Sequence, residues 1–266
     1  MGRSLLLVGC GKMGGAMLEG WLASGTADRV VVVEPQGSAP DMPGVIRCAG
    51  TGQIPPDFRP EVVVFAVKPQ VVDAVVPDYR RFVGPGTLFL SVAAGKTIAR
   101  FEELLGGGTA FVRAMPNTPA AVGRGITVAC ANAGVSADQR RLTDLLLGAV
   151  GEVAWIEDEA LMDAVTAVSG GGPAYVFLLA EAMAEAGRAA GLPADLAARL
   201  ARVTVAGAGE LLHRSPLPPD ELRRNVTSPG GTTQAALGVL MAQDGVQPLM
   251  DRAIAAGARR SRELAS

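Results

Sequence analysis

Histidine is almost missing from this chain: His213 is the only one in 266 residues. A histidine base or a metal site built on paired histidines would therefore rest on one side chain. That side chain falls near a predicted helix end, where cap and surface roles prevail. Lysine is nearly as scarce, occurring only at positions 12, 68 and 96, so the C-terminal half has no lysine to polarise a substrate carbonyl. Cys10, Cys48 and Cys130 are odd in number, widely spaced and set among apolar residues. Neither a disulfide framework nor a zinc site is expected, and no metal is assigned. Lys and Arg number 24 against 26 Asp and Glu, interspersed to a net charge of −2. That leaves no basic stripe for nucleic acid and no polybasic membrane patch. No apolar run approaches the roughly 20 residues of a membrane helix. The stretch Leu5 to Val8 is also too short for the hydrophobic region of a signal peptide. A soluble, cytoplasmic protein is expected, with small molecules and itself as partners.

What the chain has is apolar content, 49% of residues, enough for a large core or two smaller ones. Continuous apolar runs at 4–8, 30–34, 62–67, 88–92 and 110–115 read as buried strands. Helical patterns at 12–24, 70–82 and 97–105 lie between them, giving repeated βαβ crossovers. A strand at 125–131 follows. Ser136 and Gln139 then form a capping-box pattern before a helix to residue 149, and a strand at 151–156 closes the sheet. Beyond residue 156 the texture changes to Ala, Leu, Met and Glu, with helices predicted at 158–168, 174–190, 194–212, 219–225, 232–243 and 247–263. The expected architecture is an α/β Rossmann-like domain with a mostly parallel sheet over 1–156, followed by an all-α domain over 157–266. The 174–190 helix is apolar on nearly every face until Glu181, too much for a thin bundle of about 110 residues. An obligate dimer through this half is expected; burial within one large monomer is the alternative.

Two motifs carry chemistry. The run Leu5-Leu-Leu-Val-Gly-Cys-Gly-Lys-Met-Gly14 is a strand followed by Gly-x-Gly-x-x-Gly, the turn and helix start of a dinucleotide site. Gly9 makes the turn, Gly11 admits the pyrophosphate, Lys12 and Met13 open the helix, and Gly14 lets that helix pack on the strand. Glu34 ends the second strand, 20 residues beyond Gly14, where it can accept hydrogen bonds from the adenosine ribose. Its charge would repel a 2′-phosphate, and no Arg or Lys lies between Pro35 and Ile46 to offset that. The cofactor is thus NADH or NADPH, with the lean toward NADH; a carboxylate turned out to solvent is the other reading of Glu34. Ala66, Val67, Lys68 and Pro69 end the next central strand at its carboxyl edge, where open α/β sheets bind ligands. Lys68 can face the pyrophosphate or stand as a surface lysine. Ala93 and Ala94 leave room for a flat nicotinamide beside Asn117, which can instead serve its turn.

The second motif is Asn225-Val-Thr-Ser-Pro-Gly-Gly-Thr-Thr-Gln234. Ser228, Thr232 and Thr233 offer hydroxyls, and Gly230 and Gly231 let backbone N–H groups approach a small carboxylate at the positive end of a helix. With no base and no metal, the reaction should need little proton transfer from the protein. Reduction of a protonated imine meets that description, because orientation against the cofactor supplies much of the rate. The missing lysine weighs against β-hydroxyacid dehydrogenases of the same architecture.

The chain resembles pyrroline-5-carboxylate reductases over essentially its whole length. The resemblance rests on Gly9-Cys-Gly-Lys-Met-Gly14, Ala66-Val-Lys-Pro69, Arg113-Ala-Met-Pro-Asn-Thr-Pro119, Ser169-Gly-Gly-Gly-Pro-Ala-Tyr175 and Ser228-Pro-Gly-Gly-Thr-Thr233, in family order and spacing. It implies reduction of 1-pyrroline-5-carboxylate to L-proline, the last step of proline biosynthesis. It also implies a helical dimerisation domain, active sites formed between one subunit's cofactor domain and its partner's helices, and dimers that often build decamers. By motif, the substrate carboxylate sits at Ser228 with the backbone donors of Gly231 to Thr233, and the Thr233 hydroxyl bonds the ring nitrogen. Thr233 and Ser228 are the catalytic candidates; an N-cap threonine and a turn serine are their plainer roles. The chain departs from the family pattern at Gly171, where serine is commoner, and at Glu34, where many relatives carry a residue compatible with NADPH. Another imine or hydroxyacid oxidoreductase, or a dinucleotide sensor without turnover, are the competing readings.

Overall fold

The computed structural model describes residues 3–37 and 41–265. The first half forms β1 (Ser4–Val8), α1 (Lys12–Ala23), β2 (Arg29–Val33), β3 (Val45–Cys48), β4 (Val62–Phe65), a short α2 (Val72–Val75), β5 (Leu88–Ser91), α3 (Ile98–Leu105), β6 (Ala110–Met115), β7 (Gly125–Ala131), α4 (Ala137–Gly148) and β8 (Gly151–Trp155). All eight strands join one sheet in the order β3-β2-β1-β4-β5-β6-β7-β8, and only β6–β7 pair antiparallel. Residue parity in the strands builds a core on each face. Leu5, Leu7, Val30 and Val32 meet Met17, Leu18 and Trp21 of α1 and Leu146 and Leu147 of α4. Leu6, Val8, Val31, Val63 and Phe65 meet Val72, Val76, Tyr79 and the α3 residues Phe101 and Leu104. Burial on both sides is why these strands read as unbroken apolar runs rather than alternating ones. The Trp21 indole, fully buried, donates to the Leu146 carbonyl at 2.8 Å, so its polar edge is satisfied.

The fold class matches the sequence expectation, with three local departures in the elements. The short strand β3 was not anticipated; it is an edge of four residues pairing in parallel with β2. The expected helix at 70–82 is instead 3₁₀ over Pro69–Val71, α over Val72–Val75 and 3₁₀ over Val76–Phe82. Pro77 explains the break, since it lacks an N–H and its ring collides with the carbonyl four residues earlier. The helix expected at 158–168 resolves into 3₁₀ (Glu159–Leu161), a short α5 (Met162–Val165) and a π-turn (Thr166–Gly170) ahead of Gly171, Gly172 and Pro173. The capping box at Ser136 and Gln139 is present in full.

The second half continues with α6 (Gly172–Ala189), α7 (Ala194–Arg214), α8 (Pro219–Asn225), α9 (Thr232–Leu240) and α10 (Val246–Ala265). By its internal contacts the chain divides into one unit of Met1–Gly170 with Gly257–Ser266 and a second of Gly171–Ala256. In the second unit, α6 and α7 pack so closely that a methyl on Gly187 would stand 3.3 Å from the Ala197 Cβ. Yet α6 buries no residue at all: Phe177 and Leu178 are each 63% exposed, and Leu200, Val203, Leu211 and Val239 are open as well. No helix among the described residues is long and apolar enough to cross a membrane.

Candidate active site

The strand order reverses between β1 and β4, so a crevice opens at the carboxyl ends of the first unit's central strands. The sequence-predicted cofactor residues gather along that edge. Gly9 leaves β1 at φ +89°, a conformation open to glycine, and an added Cβ would lie 2.8 Å from the Ala66 carbonyl oxygen. Gly14 packs the first turn of α1 onto the same bend; a methyl there would run into the Gly9 carbonyl and approach the Ala66 Cβ to 3.2 Å. Gly11, the N-cap of α1, differs from both: nothing lies within 4 Å of the position its Cβ would take. The amides of Lys12, Met13 and Gly14 find no acceptor among the described residues, and the first helical bond runs from Gly15 N–H to the Gly11 carbonyl at 2.8 Å. Open N–H groups beside empty space form a cradle of the kind a pyrophosphate needs.

Glu34 does not turn out to solvent. One carboxylate oxygen accepts from the Cys10 amide at 2.8 Å and the other from the Gln36 amide at 3.0 Å. A negative charge is thereby fixed at the glycine turn rather than left on a mobile side chain. The Cys10 thiol beneath it is buried, and burial, then Glu34 and Glu19, push its pKa upward. Lys12 and Lys68 are exposed and form no ion pair among the described residues; Lys68 precedes the Pro69 turn, with Ala66 and Val67 half-buried behind it. Ser91, fully buried, accepts from the Ala93 amide at 3.1 Å and shapes the turn containing Ala93 and Ala94. Asn117 is partly committed to the fold. Its side-chain oxygen accepts from the Ile126 amide at 2.9 Å and ties β6 to β7, leaving its NH₂ to face a ligand.

In the second unit the hydroxyl-rich loop has a defined shape. Gly230 adopts φ +71°, its amide donates to the Gln234 side-chain oxygen at 2.6 Å, and the Gly231 amide donates to the Ser228 carbonyl at 3.1 Å. Gly231 is the N-cap of α9, and no side chain caps that helix. Thr233 thus sits one residue inside the helix, its side chain exposed and not used as a cap. The hydroxyls of Ser228, Thr232 and Thr233 and the amides of Thr232, Thr233 and Gln234 make no hydrogen bond among the described residues. A small carboxylate would find donors at a positive helix end. His213 lies exposed in the last turn of α7, where a cation suits the helix terminus. Among the described residues no cluster of three or more His, Cys, Asp or Glu could hold a metal.

Sequence reasoning passed over two features. Gln234 braces the loop from position N3 of α9, its side-chain oxygen accepting from the Gly230 amide one residue ahead of the N-cap. The second is a buried ion pair: Arg113 on β6, 5% exposed, donates to Glu159 at 2.8 Å. No local pattern could reveal a pair 46 residues apart.

Comparison with known proteins adds the family. Residues 159–264 match the model for pyrroline-5-carboxylate reductase dimerisation, and residues 4–95 match that for NADP oxidoreductase, coenzyme F420-dependent. The pyrroline-5-carboxylate reductase of Pseudomonas aeruginosa is 47% identical over 205 residues, 77% of this chain and 75% of that protein. That of Synechocystis is 39% identical over 271 residues, 99% of each chain. The solved structure of a pyrroline-5-carboxylate reductase from Coxiella burnetii superposes with a TM-score of 0.90 at 32% identity, covering both chains in full. The pyrroline carboxylate reductase of Plasmodium falciparum, solved with NADP bound, gives 0.82 at 27% identity over 99% of this chain and 98% of that one. The chain belongs to the pyrroline-5-carboxylate reductase family.

Proposed function

We propose that this protein reduces 1-pyrroline-5-carboxylate to L-proline with a reduced nicotinamide dinucleotide. The single observation behind the reading is the loop at Ser228 to Thr233, which keeps three hydroxyls and three helix-start amides uncommitted. A dinucleotide held at the glycine turn would supply a hydride to the carbon of the protonated imine, whose nitrogen, already carrying its proton, would take the C=N electron pair. Ser228 and the amides of Thr232 and Thr233 hold the substrate carboxylate; the Gly231 amide, expected to join them, is taken by the Ser228 carbonyl instead. The Thr233 hydroxyl bonds the ring nitrogen and fixes which face of the imine is presented. With orientation carrying the rate, the scarcity of histidine and lysine in the helical half is no obstacle.

Glu34 supports NADH over NADPH. Its carboxylate is anchored on two backbone amides, so it cannot swing away to admit a 2′-phosphate without leaving the Cys10 amide unpaired. The helical segment from residue 157 onward is assigned to dimerisation and substrate binding. The exposed apolar residues of α6 and α7 support the dimer, since a monomer would leave a wide apolar surface in water. A cytoplasmic location and further assembly to a decamer accord with the family resemblance.

The test is loss of reduced-nicotinamide absorbance with 1-pyrroline-5-carboxylate, using NADH and NADPH side by side, for the wild-type protein and Thr233→Ala. Turnover that collapses in the variant while dinucleotide binding persists supports the reading. Binding without turnover in the wild type would favour a dinucleotide sensor.

A further inference from the structure

The turn between β5 and α3, residues 91–97, lies on the β4-β5-β6 side of the switch point, the half of a dinucleotide crevice that takes the nicotinamide. Its start is fixed locally by the buried Ser91 hydroxyl. Its middle and end are fixed by residues far away in sequence. Gly95, at φ +73°, packs against the last turn of α10, with the Leu264 carbonyl 3.5 Å from where a Cβ would sit. That turn of α10 is itself anchored, because the buried Ser261 hydroxyl donates to Asp163 at 2.6 Å. At the end of the turn, Glu159 accepts from the Ile98 amide, the first of α3, at 2.9 Å. The same carboxylate oxygen accepts from Arg113, which holds the charge in place from within the sheet. Thr97 caps α3 separately through the Arg100 amide, so the carboxylate is not needed merely to start the helix.

We infer that Glu159 is a positioning residue for the nicotinamide: it sets the 91–97 turn, and through it the wall against which the reacting ring rests. The inference depends on the cofactor edge proposed above. Glu159 is also the first residue matched by the dimerisation model, and Ser261 and Leu264 lie at its other end. One end of the dimerisation segment therefore bonds the end of the turn through Glu159, and the other, at Leu264, stands beside its middle. Both ends lie in the first unit with the turn, so its geometry is set there without either group touching the cofactor. Lys96 adds only a half-exposed tie to Asp73 at 3.2 Å, which salt would weaken.

The experiment compares two ligands on the intact protein: NADH, by nicotinamide fluorescence, and ADP-ribose, which lacks the nicotinamide, by competition. Glu159→Gln should weaken NADH about tenfold, the scale of one charge-assisted hydrogen bond, and lower kcat, while ADP-ribose affinity stays at the wild-type value. Because that change leaves Arg113 buried without a counter-charge and threatens folding, Arg113→Leu with Glu159→Leu is the companion variant. An apolar pair can replace a buried ion pair at little cost, but it still frees the Ile98 amide. The same split between NADH and ADP-ribose is expected there. Equal weakening of both ligands, or a fall in melting temperature with NADH affinity intact, would overturn the assignment and leave Glu159 a structural residue only. Failure of the wild-type protein to bind NADH would overturn the cofactor edge itself, and this inference with it.

Discussion

Replacing each of the three turn glycines by alanine separates what the fold needs from what the cofactor needs. At Gly9 the methyl must enter a left-handed conformation and stand 2.8 Å from the Ala66 carbonyl oxygen. The conformational term is about 1–2 kcal/mol and overpacking adds about 1–3. A total of about 2–5 kcal/mol lowers the melting temperature on the order of 10 °C for a chain of this size. Gly14→Ala forces the helix off the Gly9 carbonyl and should behave similarly, disturbing the Cys10 amide that Glu34 holds. Gly11 is the contrast. Its backbone is extended at φ −72° and the space around its Cβ is empty, so alanine there loses only about 0.5 kcal/mol of N-cap preference. Gly11→Ala should therefore melt within about 2 °C of wild type. Yet the methyl occupies the approach to the open amides of Lys12, Met13 and Gly14 and should weaken NADH at least about tenfold, the worth of one lost phosphate contact. Thermal denaturation and fluorescence titration on the three variants decide the matter. Unchanged NADH affinity in Gly11→Ala, or destabilisation as deep as that of Gly9→Ala, would refute the assignment of this turn.

Three further outcomes follow from the same structure. Glu34→Ser should shift preference toward NADPH by roughly 30- to 150-fold, from removing about 2–3 kcal/mol of repulsion between a carboxylate and a phosphate near 5 Å at an effective dielectric of about 40–80; an unchanged ratio of kcat/KM values would place the 2′-position elsewhere. All three cysteines are buried and burial raises each thiol's pKa, so alkylation at neutral pH should be slow in the folded protein and reach three equivalents only on unfolding; fast labelling of the native protein would contradict this. Phe177→Glu, at a 63% exposed position on α6, should convert a dimer to a monomer in sedimentation experiments and abolish turnover; a persistent dimer would move the interface off this helix.

Much of the fold was legible because the central strands are buried on both faces and read as unbroken apolar runs, while Gly9, Gly11 and Gly14 punctuate the first crossover. The strand β3 was hidden because it is four residues long at an edge, with Arg47 exposed among them. The interruptions at Pro77 and at Thr166–Gly170 were missed because apolar spacing carries on past a proline and through a π-turn alike. At the site, residue types were readable but their partners were not. Sequence shows an acid at the end of β2, not that it bonds the Cys10 amide. It shows Asn117 beside the crevice, not that half its amide is committed to Ile126. Arg113 and Glu159 meet only because the 3₁₀ turn after β8 folds back over the end of β6.

Hydride delivery to a cyclic imine held by its carboxylate leaves an isotopic trace in the product. The protein is incubated with 1-pyrroline-5-carboxylate and NADH deuterated at the transferring position, and the product is analysed by mass spectrometry. L-Proline carrying one deuterium on the former imine carbon is expected from the wild-type protein, and its formation should be lost on Thr233→Ala. Proline without the label, or no proline while NADH still binds, would contradict it.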